Sequence, residues 1–403
     1  MDLFRMPGGR GVALALGSLA LAILVGLVAL WPDKRTVDLG DAVVDKPDKA
    51  EVVSVSAEGC ESFAGPGCKL AEIELKSGPN KGERSSISLP GGDELAPEVQ
   101  PGDDITVAAN SVPGVDPEVA DPVPIDEPAL QPYAFVDFER GPPIFWLALV
   151  FSAIVVAFGR WQGARSLVGL ALSLLIVINF LVPAILDGKS PFLVALVAGL
   201  AVMFATITLT HGLALKSVAA MLGTTAALLL TGLLAVIFVE LAHISGFASE
   251  EATLLQSATG GRLSLDGLVL AGMVIAALGV LDDVTVSQAS TVAALRRADP
   301  RAGIRKLYRG AIAVGRDHVA ATVNTLVLAY VGAALPILLI FVNQATSFGE
   351  AIDRESIATE VVGMLVGSIG LIAAVPLTTM LAAWFVTRVP ADSLPPESHA
   401  HAH

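Results

Sequence analysis

"GVLDDVTVSQAS", residues 279–290, closes a run that carries no charge from Gly267 to Leu281 and otherwise reads as a membrane span. Two adjacent carboxylates, Asp282 and Asp283, interrupt it. A charge near the bilayer centre costs at least about 2.5–3.5 kcal/mol, so such residues are rare and usually face a protein interior or a water-filled space. The setting of this stretch decides the fold, because the same twelve residues would mean something different in a soluble chain.

Composition places the chain in a membrane. Of its 403 residues 54% are hydrophobic, and the mean hydropathy is +0.69, more apolar surface than a soluble core can absorb. The net charge of −14 is not evenly spread: between Trp31 and Gly141 there are 23 Asp and Glu against 9 Lys and Arg, while the remainder holds 16 of each sign. One acidic, water-soluble segment is thus set into a neutral membrane body. The acidity itself reads as a well-solvated surface rather than a cation site.

Eight stretches are long and apolar enough to cross about 30 Å of hydrocarbon as helices. They lie near 11–31, 142–159, 165–186, 191–210, 214–239, 266–289, 319–342 and 357–387. The first ends in Trp31-Pro32 without a small-residue cleavage pattern, which favours a retained anchor over a signal peptide. With the N-terminus cytoplasmic, the inner segments carry thirteen basic residues, seven of them in "RRADPRAGIRKLYRGAIAVGR" from Arg296 to Arg316, against Lys189, Arg262 and Arg354 outside. That is a clear positive-inside asymmetry. It places both termini in the cytoplasm and residues 33–140 outside the cytoplasmic (plasma) membrane.

The outer segment reads as β-rich. "AEVVSVSAEG", "KLAEIELKSG", "ERSSISLP", "DITVAAN" and "YAFVDFER" are short alternating runs divided by Gly, Pro and Asn. Five such strands suit a compact barrel resembling an oligonucleotide/oligosaccharide-binding (OB) fold. Residues 111–132 hold six prolines and read as an extended loop. Both cysteines, Cys60 and Cys68, lie in this segment, and their spacing fits a short disulfide loop in an oxidising compartment. The segment contains no His, which argues against zinc. In the outer loop 240–265, "FASEEATLLQ" carries the start signal of a short surface helix at Ser249. The terminal "HAHAH" is read as no physiological metal site, and no metal or other cofactor is expected.

The expected domains are a transmembrane anchor (1–32), an extracytoplasmic β-rich domain (33–140), a seven-helix transmembrane domain (141–390) and a cytoplasmic tail (391–403). The fold class is a mainly α, polytopic membrane protein of eight transmembrane helices with a small OB-like domain. No GxSxG, HExxH or GxxxxGKS pattern occurs, so no enzyme is expected.

On a helix, Asp283, Ser287 and Ser290 share one stripe, while Asp282 points about 100° away beside Thr285. The seventh span places Thr322, Asn324 and Thr325 at comparable depth, and the eighth places Thr378 and Thr379 there, after Gly363, Gly367 and Gly370 at close-packing spacing. Three readings compete. The acids could mark a helix end in water, although Val284 and Val286 continue the span. They could form an intramembrane aspartyl protease, although neighbours on one helix diverge and no second span offers a buried Asp. They could be a proton relay, in which protonation switches helix packing. The relay is preferred, with Asp283 as the titrating group, Asp282 coupled to it, and Thr285, Ser287, Ser290, Asn324, Thr325 and Thr378 as polar neighbours.

"GVLDDVTVSQAS", "GRDHVAATVNTLVLAYVGAALP" and "VGSIGLIAAVPLTTMLAAW", in that order after an anchor and a small outer domain, resemble the YibE/F family of multi-span membrane proteins. Members commonly carry a single Asp where this chain has Asp282-Asp283. The last three spans also resemble, more remotely, half of a resistance-nodulation-division exporter or of the SecD/SecF translocation motor, where an intramembrane Asp carries protons. That resemblance implies a proton-coupled exporter or export accessory, with Arg316 or His318 as cationic partner and a homodimer or other membrane-transport subunits restoring the missing half. A non-transporting envelope scaffold, its outer domain binding protein or polysaccharide, is the alternative. No nucleic-acid partner is expected; the lipid bilayer is one.

Single-cysteine variants near positions 60, 187, 250 and 350 should react with an impermeant thiol reagent in intact cells, and variants within 296–316 only after permeabilisation. Labelling of the 296–316 loop in intact cells would overturn the orientation.

Overall fold

The computed structural model describes residues 9–33, 47–56, 68–89, 98–109, 133–343 and 348–390. It divides into two compact units, Leu39–Ile154 and the remainder of the chain.

The smaller unit contains five strands: β1 (Asp48–Ser56), β2 (Lys69–Leu75), β3 (Arg84–Leu89), β4 (Asp104–Ala109) and β5 (Tyr133–Phe138). They form one antiparallel sheet in the order β3-β2-β1-β4-β5. Each expected run became a strand, because alternation puts Val52, Ile73, Leu75, Ile87, Leu89, Ile105 and Val107 on one buried face. Register shifts at Val52/Ser54 and at Thr106/Val107 bend the sheet. The edge strands β3 and β5 approach one another, so the sheet curls into a half-barrel. The β2–β3 turn is tied to β5 by Asn80 Nδ2, which donates to the Tyr133 hydroxyl at 2.9 Å. Gly78 in that turn has φ +83°, and any Cβ there would strike the Asp48 carboxylate. Cys68 is buried just before β2. Cys60, and with it the expected bridge, lies outside the described residues, as does the proline-rich 111–132 stretch.

The helices are α1 (Gly9–Ala29), α2 (Gly141–Ile176), a π-helical turn Val177–Leu181 running into α3 (Val182–Leu186), α4 (Pro191–His211) and α5 (Leu215–Leu241). They continue with α6 (Glu250–Ala258), α7 (Leu265–Ala298), α8 (Ile304–Ala333), α9 (Leu335–Asn343), α10 (Phe348–Ile352) and α11 (Glu355–Val386). Among the described residues six helical runs are long and apolar enough to cross a membrane, and a seventh if α8 and α9 count as one.

Two runs depart from the expected spans. Gly141–Leu186 is one helical run of 46 residues, yet Arg160 breaks it with φ 49° and ψ −129°. A Cβ on Gly163 would collide with the Val155 backbone oxygen, although residues eight apart in a straight helix are about 12 Å apart. The chain therefore turns sharply at Arg160. The expected straight span 319–342 instead bends by 64° between α8 and α9. Pro336 accounts for the bend: it lacks the N–H that would bond one turn back, and its ring clashes there.

Ends are capped as the sequence suggests. Ser249 Oγ accepts from Ala252 N at 3.0 Å and Ser264 Oγ accepts from Gly267 N at 3.1 Å. Between α7 and α8, the Lys306 ammonium and the Arg301 N–H on Asp299 hold its carboxyl below the usual carboxylate range. The Glu355 carboxylate at the start of α11 accepts from Ser245 N, Ser245 Oγ and Gly246 N, tying the 240–265 loop to α11.

The core of the helical unit is the trio α5, α7 and α11. The antiparallel helices α5 and α11 meet through two reciprocal contacts: Gly223 receives Thr378, and Gly370 receives Thr231. A Cβ at either glycine would collide with the facing Thr Oγ1. Gly223→Ala should therefore destabilise the protein in detergent by about 1–3 kcal/mol. Adding Thr378→Ala should recover part of that loss, because it removes the nearest clash and Thr378 Oγ1, among the described residues, has no hydrogen-bond partner to forfeit. Strictly additive losses in thermal unfolding would contradict the contact.

Candidate functional site

The two carboxylates of α7 have different surroundings. Asp283 is exposed, whereas Asp282 is half-buried. One Asp282 oxygen accepts a long hydrogen bond, 3.4 Å, from Thr206 Oγ1 on α4; the other oxygen is buried and, among the described residues, has no partner. Thr206 Oγ1 also lies 2.9 Å from the Val202 carbonyl and 3.1 Å from that of Met203, so its single proton is contested. Thr206 is five residues before the end of α4, which puts Asp282 about 7.5 Å inside that end.

A groove of about 360 Å³ runs from Asp282 and Asp283 to His211, the last residue of α4. Its polar lining includes Ser166 and Ser173 of α2 and Thr206 and Thr210 of α4. Ser173 and Thr210 direct their hydroxyl protons at their own helix, to Gly169 O and Thr206 O, leaving oxygen lone pairs for the groove. One side of the polar wedge thus faces an open, partly polar space.

The other side is sealed. Thr285 is fully buried, and its hydroxyl lies 2.6 Å from that of Thr224 on α5. Gln288, also buried, donates through Nε2 to Ala311 O of α8 at 2.9 Å and to Thr379 Oγ1 of α11 at 2.7 Å. Gly315 makes room for this carboxamide; a Cβ there would lie 2.9 Å from Gln288 Oε1. Gln288 thus ties α7 to both α8 and α11.

The arrangement differs from the one expected around Asp283. Ser287 is exposed and Ser290 half-buried, and neither lines the groove. Asn324 and Thr325 are exposed on α8, with Thr325 donating to Ala321 O at 3.1 Å. Thr378 is buried against Gly223 rather than against a carboxylate. Arg316 and His318 are exposed, and among the described residues neither forms an ion pair with Asp282 or Asp283. The stripe of Asp283, Ser287 and Ser290 is real as helix geometry, but of the three Asp283 alone lines the groove. Burial instead selects Asp282 and Thr285, one turn apart. Thr206, Thr224, His211 and Gln288 are not among the residues read from the sequence, whereas Thr379, placed at this depth with Thr378, is the one that Gln288 reaches. The glutamine in "VSQAS" was the readable signal, since an amide three residues past Thr285 extends the same buried face. No cluster of three or more metal-ligating side chains occurs among the described residues, and the terminal histidines lie outside them.

The comparisons bear on this region directly. The family model for the YibE/F-like protein matches residues 147–388. The chain belongs to the YibE/F-like family. No curated protein and no solved structure gives a significant match. The YibE/F-like match takes in α4 to α11 and most of α2, so both carboxylates, the groove and the Gln288 contacts fall inside it. Helix α1 and the β unit as far as β5 fall outside it. The chain is a multi-pass membrane protein of this family.

Proposed function

We propose that the protein is a proton-coupled component of the cytoplasmic membrane that exports a substrate or assists its export, with Asp282 as the group that binds and releases the proton. The observation that carries this reading is the position of Asp282 at the boundary between the sealed α5–α7–α11 core and the groove ending at His211. Among the described residues, an ionised carboxyl there has one 3.4 Å hydrogen bond and no cationic partner, so it is poorly compensated. The protonated form can donate to Thr206, whereas the ionised form must accept from it. A proton therefore changes what α7 asks of α4, which is the requirement for a two-state element. Asp283 is the tuning neighbour. The likeness of the last three spans to proton-driven exporters favours the same chemistry.

In this reading the membrane body has eight spans, with Gly141–Leu186 divided at Arg160 and the bent α8–α9 pair counted as one. The basic 296–316 segment puts both termini in the cytoplasm and the β unit outside. The sheet order β3-β2-β1-β4-β5, with β3 and β5 approaching, has the circular strand order of an OB-like barrel. A second reading, a non-transporting envelope scaffold, draws on that β unit, which the family match leaves out. It needs no role for Asp282.

The test begins with a deletion strain screened for sensitivity to toxic compounds and for secretion defects. Asp282→Asn should insert and accumulate as the parent does yet fail to complement, while Asp283→Asn should retain most activity. If both variants complement fully, the carboxylates are structural and the proton-coupled reading is wrong.

A further inference from the structure

A second groove of about 360 Å³ lies between α8 and α11, apart from the carboxylates. The two helices touch at Gly315, where a Cβ would come within 2.7 Å of Val375 Cγ1, and space opens beside that contact. Ile312, Val319, Ile372 and Pro376 make its walls apolar. Two of its lining residues carry polar groups, Arg316 and Tyr308. Arg316 is exposed and, among the described residues, takes part in no ion pair. It is the last of the seven basic residues between Arg296 and Arg316, and Asp317 and His318, both exposed but not lining the groove, follow it before the apolar part of α8 begins.

We propose that this groove is a binding site for one anionic phospholipid, its acyl chain along Ile312, Val319 and Ile372 and its phosphate on Arg316 and Tyr308. The volume is that of an ordinary small-molecule site, about 300–1,000 Å³. A guanidinium at the edge of an apolar slot offers paired donors to phosphate oxygens, and a phenol adds a third. Basic pockets between spans on the cytoplasmic side are where anionic headgroups gather. A zwitterionic lipid would fill the same walls but bring its own cation against Arg316. The proposal rests on the orientation that puts residues 296–316 on the cytoplasmic side, and it is independent of the role of Asp282.

The experiment is native mass spectrometry of the full chain in detergent, with phosphatidylglycerol and phosphatidylcholine of identical acyl chains as probes. The parent should retain one phosphatidylglycerol in preference to phosphatidylcholine. Arg316→Gln should reduce that preference about five-fold, the worth of one basic group near an anionic surface. Arg309→Gln, an exposed cation on the same helix outside the groove, should leave it unchanged. Ile372→Trp, which fills the slot and keeps every charge, should abolish retention and serves if Arg316→Gln does not fold. Equal retention of the two lipids, or an equal effect of Arg309→Gln, would overturn the site in favour of diffuse charge. Displacement of phosphatidylglycerol by inorganic phosphate, or a second copy of the chain seated on this face, would overturn it as well.

Discussion

The helical unit depends on one close approach, that of the α5 and α11 backbones at Gly223/Thr378 and Gly370/Thr231. In lipid the surroundings are as apolar as the protein interior, so helices gain little from hiding hydrocarbon and associate through tight packing and hydrogen bonds. A glycine on each helix receiving a threonine from the other supplies that packing. The pairs are eight residues apart on both helices, which keeps them in register along an antiparallel crossing. Within this frame α7 has little rotational freedom. Thr285 must meet Thr224, and Gln288 must reach both Ala311 and Thr379. Turning α7 by one residue, about 100°, would break these contacts and push Asp282 either into the core or out of the groove.

The acid's setting therefore follows from residues that never touch it. Asp282 lies one turn before Thr285 and two before Ala289, on the flank of the buried face. Its neighbour Asp283 falls a further 100° outward and is exposed. Two adjacent carboxylates, chemically alike, are thus separated into one with a protein partner and one without.

Much of this was legible in the sequence, and what was not has a physical cause. The five strands could be read because the β unit has a wet face and a dry face, so hydropathy alternates with the pleat. Apolar runs could be read from length and composition, and the gap left between 142–159 and 165–186 holds the break at Arg160, although nothing in "AFGRWQG" demands positive φ at that residue. The partners of the carboxylates were misplaced because hydropathy does not distinguish the inside of a helix bundle from its lipid side. Polar residues were equally ambiguous: Thr206, Thr210 and Thr325 all return a hydroxyl to their own helix, yet only the first two line the groove. The glycines of α11 were the better guide. Gly370 was singled out by its spacing, and it marks the face that meets α5.

Reactivity of single cysteines placed along 282–289, measured in membranes with an impermeant thiol reagent applied from the side of His211, tests the central claim most directly. Positions 282, 283 and 286, which line the groove, should react, while 285 and 288 should remain silent until the protein is unfolded. Reaction at 285 and 288 with silence at 282 and 286 would mean that α7 is rotated, that the α5–α11 frame does not set its facing, and that Asp282 is not at the groove.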